Sequence, residues 1–293
     1  MKWKRDWELT FRLWLTGFLL LAVYLVFMAV LVKLGVSAVF VVLLAVVMAS
    51  IQFFFSEKLV VWSTGARVVG ENEYPELYRM VSRLCKEADL PMPRIAIMPS
   101  PVPNAFATGR SPKHALVACT DSIMRLLTKD ELEAVLAHEL SHVKNRDILT
   151  MTLASFVAML ASIIMQNFLY GALFDRDNEG ISPWIIVGVV AIVVYFVAEL
   201  LIMAISRYRE FAADRGSAYI TRNPQALISA LKKISGRMDA LPAEPKAKVE
   251  GANAFFIIPA LTGNRILELF STHPALDKRI ANLQKVEAEL NGY

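Results

Sequence analysis

Cysteine is nearly absent from this chain: Cys85 and Cys119 are the two present, and neither lies in a Cys-x-x-Cys pair. That excludes a disulfide framework, and the two read as buried thiols on the reducing side of a membrane. Charged residues are scarce as well, at 20%, and the net charge is only +4. No basic stretch is interleaved with aromatics, so nothing points to nucleic acid. There is no internal repeat and no long low-complexity segment. Histidine occurs four times, as His114, His138, His142 and His273. What fills the 293 residues is apolar: 56% are hydrophobic, and the mean hydropathy is +0.46. These values are too high for an ordinary soluble protein and imply membrane spans.

Four uncharged runs have the length of a span: 13–32, 36–55, 148–174 and 183–206. A basic start before an apolar run also describes a signal peptide. The run 13–32 is too long for one and lacks a small-x-small cleavage site, and a second run follows directly after Lys33-Leu34-Gly35. The first two runs therefore predict a transmembrane hairpin over 1–56. A polar part follows over 57–147, a second hairpin over 148–206, and a further polar part over 207–293. Basic residues near the span ends set the orientation. One side holds Lys33 and Arg176; the other holds Lys2, Lys4, Arg5, Arg12, Lys58, Lys144, Arg146, Arg207 and Arg209. Both termini and both polar parts are thus expected in the cytoplasm. Trp3, Trp7, Trp14, Trp62 and Trp184 lie near the expected interfaces, where tryptophan anchors.

Within the polar parts, an amphipathic helix is predicted over 73–89, with Pro75 in its first turn. Short strands are predicted at Arg94–Pro99 and Ala115–Cys119. A helix from about residue 129 meets no proline or glycine, and is expected to run unbroken into the third span, to about 170. The fourth span likewise continues through 207–214. Asn223-Pro224 starts another helix by cap and first-turn chemistry. Residues 239–251 read as a mobile loop, and His273-Pro274 opens the last helix.

The stretch around which the rest is organised is 128–147, TKDELEAVLAHELSHVKNRD. Thr128 and Glu131 make a capping box, and Leu132, Val135, Leu136 and Leu140 form an apolar stripe at helical spacing. On that helix His138 and His142, four residues apart, lie one above the other and can reach one metal ion. Glu139 is turned by roughly 100° and stands beside the metal, where a carboxylate can take a proton from water. The bland alternative is a solvated charged helix that happens to carry two histidines. A third ligand can come from His114, His273 or a carboxylate. Spacing favours Glu210. His142 lies about 9 Å before the third span and Glu210 about 6 Å past the fourth, so antiparallel spans bring them to similar heights. Asp214 shares the face of Glu210 and can accept the other ring N–H of a ligand histidine. Against this, Glu210 can simply pair with Arg207 or Arg209.

His138-Glu139-x-x-His142, with Glu210-x-x-x-Asp214 inside SRYREFAADRGSA, resembles the HtpX group of membrane zinc metalloproteases, related to the Ste24 CAAX-type proteases. The resemblance covers almost the whole chain, including Asn104–Gly109 and Ser271-Thr272-His273-Pro274. It implies a mainly α, multi-pass membrane protein. Four transmembrane helices would carry an α+β zincin-like (gluzincin) catalytic domain, with the third and fourth spans continuous with the ligand helices. It further implies one Zn2+ per chain on His138, His142 and Glu210, with Asp214 behind them. Glu139 would be the general base, and Asn104, Ala105 and Phe106 an edge strand that receives substrate backbone. His273 and Arg279 would line the site and donate to the oxyanion. The partners expected are the lipid bilayer and polypeptides, above all misfolded membrane proteins cleaved at the cytoplasmic face in quality control.

Other readings are weaker. A motif buried in lipid is opposed by Lys129, Asp130, Glu131, Glu133, Lys144, Arg146 and Asp147 around it. A scaffold that keeps zinc only for folding would need a fourth ligand, for which His273 is available, and would not need Glu139. A transporter built on Glu199 would rest on one isolated acid that more readily snorkels or bonds a neighbouring helix.

Overall fold

The computed structural model describes residues 6–33, 37–174, 183–240 and 273–292. Loop 175–182, the turn at 34–36 and the part of the expected loop beyond Ala240 lie outside them. The described residues divide into two compact units, one from 54–149, 206–240 and 273–292, the other from 6–33, 37–53, 150–174 and 183–205.

The second of these is helical and inside out. Its helices come from α1 (Trp7–Lys33), α2 (Ala38–Thr64), α6 (Asp147–Phe174) and α7 (Pro183–Thr221). Among the described residues three helical stretches, 7–33, 147–166 and 185–221, are long and apolar enough to cross a membrane. Phe11, Phe18, Leu25, Val193 and Phe196 are exposed. Small residues lie within: Ala154, Ala158 and Ala198 pack with Leu20, and Ala161 and Ala191 with Phe27 and Leu31. Helices meeting in lipid gain from such close approach rather than from burial. Glu199 interacts with Tyr195 on its own helix, one turn away.

The other unit is built on a four-stranded sheet in the order β1-β2-β4-β3, from β1 (Arg67–Val69), β2 (Arg94–Met98), β3 (Ala105–Thr108) and β4 (Leu116–Thr120). β2 and β4 run parallel, and the outer strands are antiparallel to their neighbours. Alternation sorts the side chains cleanly. Ile95, Ile97, Val117 and Cys119 join the main core, while Ala96, Met98, Phe106, Leu116 and Ala118 pack on the other face. The main core is completed by α3 (Pro75–Ala88), α5 (Lys129–Lys144), α8 (Pro224–Ala240) and α9 (Leu276–Leu290), with the short α4 (Asp121–Leu126) at the end of β4. β3 is an edge strand, and Gly109 (φ +123) ends it. A Cβ there would lie 2.0 Å from the His114 carbonyl oxygen, so no other residue fits this turn.

The helix expected to run from about 129 to about 170 is in fact two. α5 ends at Lys144, Arg146 takes a left-handed φ of 57°, and α6 begins at Asp147. A non-glycine residue in that conformation costs roughly 1–2 kcal/mol, which is why a segment without glycine or proline reads as continuous. The start of α5 is as expected: Thr128 and Glu131 form both bonds of the capping box. Glu131 also accepts from Ser229 Oγ (2.6 Å) and Lys233 Nζ (2.7 Å), joining α5 to α8.

Burial alone would raise the Glu131 carboxyl, but Lys233, Ser229 and Thr128 outweigh it and hold the pKa at about 2 instead of 4.5. A depressed carboxyl stabilises the fold fully above its unfolded pKa and loses that contribution as pH falls through the folded one. Glu131→Gln is therefore expected to cost on the order of 2 kcal/mol at neutral pH. The difference from wild type should fade between about pH 4.5 and pH 2, which melting curves across that range will show.

Candidate functional site

Two helices carry the donor atoms. α5 presents His138 and His142 on one face, and α7 crosses it with Ser217 Oγ donating to the Ala134 carbonyl at 2.6 Å. Ala134, Ala137, Ala213 and Ser217 are fully buried, so the two backbones come close and Glu210 reaches the histidines. His138 Nε2 and His142 Nε2 lie 3.1 Å apart. Glu210 Oε1 is 3.4 Å from His142 Nε2, and Oε2 is 3.5 Å from His138 Nε2. Three ligand atoms bound tetrahedrally at the usual zinc distances would sit about 3.3 Å from one another. His138, His142 and Glu210 form the one such cluster found among the described residues.

The far ring nitrogens face carboxylates, His142 Nδ1 in a hydrogen bond and His138 Nδ1 by proximity. His138 Nδ1 is 3.0 Å from Asp214 Oδ1, and His142 Nδ1 is 2.6 Å from Asp147 Oδ2. Both imidazoles are thereby turned with Nε2 toward a common point, as metal-ligating histidines are. Glu210 Oε2 is buried without a well-directed hydrogen bond. Two neutral imidazoles and a carboxylate suit zinc by donor type.

Burial lowers the pKa of His142, but Asp147 and Glu210 outweigh it and hold it at about 10; Asp214 and Glu210 likewise raise His138. A metal entering here must displace those protons. Burial would push Glu210 up, yet His273, His138 and His142 keep it well below the usual carboxylate range.

Glu139 is buried beside the cluster and outside it. Burial raises its pKa and Glu210 adds to this, against His138, His142 and the backbone N–H of Ala107. The Ala107 contact follows from the register of β3. Thr120 N–H donates to Asn104 O, so 104 and 120 are a hydrogen-bonded pair. Alternation then turns the backbone groups of Ala105 and Ala107 away from β4. Phe106 turns inward: its ring is buried in the sheet's second core. Asn104 is buried where β3 begins.

Of the remaining candidates, His273 Nδ1 is 3.1 Å from Glu210 Oε2. Arg279 grips Asp214 with two nitrogens, Nε at 2.9 Å and Nη2 at 2.5 Å, and its Nη1 is 3.5 Å from Glu210. His114 is exposed and bonds Ser111, far from any metal role. Sequence reasoning passed over Asp147, Arg209 and Ala107. Asp147 becomes visible only with the break at Arg146; Arg209, next to Glu210, lies with Nε 3.3 Å from Asp147.

A buried His-His-Glu cluster with a second carboxylate at its side and an edge strand beside it suits metal-assisted hydrolysis of a peptide bond. The comparisons agree. The profile of peptidase family M48 matches residues 71–287. Protease HtpX homolog 2 of Methanosarcina acetivorans is 54% identical over 292 residues, 99% of both chains. Protease HtpX homolog of Moorella thermoacetica is 53% identical over 288 residues, 97% of this chain and 96% of the other. A crystal structure of S. mikatae Ste24p is similar in fold, with a TM-score of 0.58 at 17% identity, over 92% of this chain and 66% of that one. The chain belongs to peptidase family M48, among the HtpX proteases, and is a membrane-associated metallopeptidase.

Proposed function

We propose that this protein is a zinc endopeptidase of four membrane spans that cleaves misfolded or damaged membrane proteins at the cytoplasmic face. The observation that carries the reading is the convergence of His138 Nε2, His142 Nε2 and Glu210 on one point, with Glu139 beside it. His138, His142 and Glu210 would hold the ion. Zinc bound there would supply Lewis acidity toward water and the scissile carbonyl.

The chain's own residues do the rest. Glu139, buried and with its proton affinity raised, takes a proton from the attacking water and returns it to the leaving amine. Asp214 and Asp147 hold the imidazoles in orientation. His273, against Glu210, is placed to donate to the oxyanion. Arg279, closed on Asp214, serves that carboxylate first. The outward backbone groups of Ala105 and the carbonyl of Ala107, whose N–H is held by Glu139, accept an extended substrate by strand addition, which reads backbone more than side chains and favours unfolded chains of broad sequence. Phe106 contributes by seating the strand.

The remaining span is the second apolar run, 36–55, which α2 carries from Ala38 onward. The basic bias at the span ends supports the cytoplasmic orientation. Membrane-protein substrates follow from chain spacing, since His142 and Glu210 lie only a few residues from apolar runs.

Detergent-purified protein is incubated with an unfolded membrane protein and an unfolded soluble one, after chelation and again after one equivalent of zinc. Cleavage that vanishes on chelation and returns with zinc is the expected result, in the membrane substrate at least. No cleavage of either at full zinc occupancy would favour the alternative, a non-enzymatic zinc-stabilised scaffold.

A further inference from the structure

Each metal-facing histidine is backed by a carboxylate, and each carboxylate by an arginine. One chain runs Arg279–Asp214–His138 and the other Arg209–Asp147–His142. In the first, His138 and Asp214 were candidates from spacing and Arg279 from the family resemblance. In the second only His142 was, and its geometry is the more telling.

On a straight helix Asp147 would be turned by about 140° from His142 and could not reach its ring. The left-handed turn at Arg146 brings it back, and Asp147 Oδ2 lies 2.6 Å from His142 Nδ1. The same oxygen is 3.3 Å from Arg209 Nε on α7, one residue before Glu210. Asp147 is 4% exposed, so its negative charge is compensated by these partners rather than by water. A left-handed backbone turn brings a buried carboxylate to one ring nitrogen, and an arginine from the other ligand helix lies against that carboxylate.

We propose that Asp147 and Arg209 are a positioning pair that orients His142 for the metal. Asp147 turns the ring so that Nε2 faces the ion, and Arg209 pairs with that carboxylate and holds it in place. Arg209 adjoins Glu210, so the pair also links two ligands from different helices. The left-handed Arg146 is conformational strain retained for this contact. The inference rests on the zinc site proposed above.

The test measures zinc dissociation constants by chelator competition for wild type, Asp147→Ala, Asp147→Asn and Arg209→Gln, with kcat and KM of the zinc-saturated proteins. Loss of a residue that orients a metal ligand weakens binding about 10–100-fold, and that is expected for Asp147→Ala. Asp147→Asn keeps an oxygen that can accept from Nδ1, so it should recover part of the affinity. Arg209→Gln should weaken zinc in the same direction by a smaller factor. At saturating zinc kcat should fall with KM little changed, because substrate lies along β3 and not on Asp147. Should Asp147→Ala fail to fold, Asp147→Asn and Arg209→Gln decide the matter. Wild-type zinc affinity in both Asp147→Asn and Arg209→Gln would overturn the proposal. So would equal losses of zinc affinity in Asp147→Ala and Asp147→Asn. Wild type that binds no zinc would instead remove the metal-site reading itself.

Discussion

Replacing Glu139 with glutamine is expected to lower peptide cleavage by about 10²–10⁴-fold, the range over which a positioned proton-transfer group acts, while leaving zinc content unchanged. Glutamine has nearly the same shape, so the packing of a residue that is 5% exposed is kept. What it removes is the ability to take and return a proton. The carboxylate lies outside the three-atom donor cluster, so affinity for the ion should survive. Its environment suits the role. Burial and the nearby Glu210 raise its pKa, which favours accepting a proton from water. The Ala107 N–H opposes this and keeps the carboxylate pointed at the edge of β3, where substrate backbone would lie. Cleavage and zinc content are measured on the same samples. Loss of zinc together with activity would mean that Glu139 belongs to the ligand set and that the base lies elsewhere.

Arg279→Ala should act through the fold. Arg279 is 2% exposed and faces two carboxylates, Asp214 through a bidentate contact and Glu210 at 3.5 Å. Removing one partner of a buried pair leaves an uncompensated charge and costs about 3–5 kcal/mol. Total stability is commonly 5–15 kcal/mol, so the protein should melt far lower and bind zinc weakly through a misplaced His138. Arg279→Lys keeps the charge but cannot reproduce the two-pronged grip, and should recover only part. A residue that merely donated to the oxyanion would behave otherwise: melting and zinc affinity would stay at wild-type values, and kcat alone would drop.

How much of this was readable beforehand depends on the range of the interaction involved. The α5 helix and its capping box depend on neighbours a few residues apart, and they are where the pattern puts them. Glu210 could be placed at the height of His142 because two apolar runs act as rulers along the chain. β1 was missed because three residues, Arg67–Val69, are too few to show alternation. The break between α5 and α6 was missed because its left-handed residue is an arginine, and Asp147 was lost with it. The grip of Arg279 on Asp214 joins residues 65 apart in sequence, a distance at which no local pattern operates. The family resemblance could bring Arg279 to the site but could not choose its partner.

The central claim is that one zinc ion sits between His138, His142 and Glu210 with a position left open for water. X-ray absorption at the zinc edge, on protein loaded to measured stoichiometry, tests it most directly. The account predicts one zinc per chain, bound by two imidazoles and oxygen at about 2.0–2.2 Å, with one imidazole fewer in His138→Ala and no change in His273→Ala. Three imidazoles around zinc, falling to two in His273→Ala, would describe a closed structural site and contradict it.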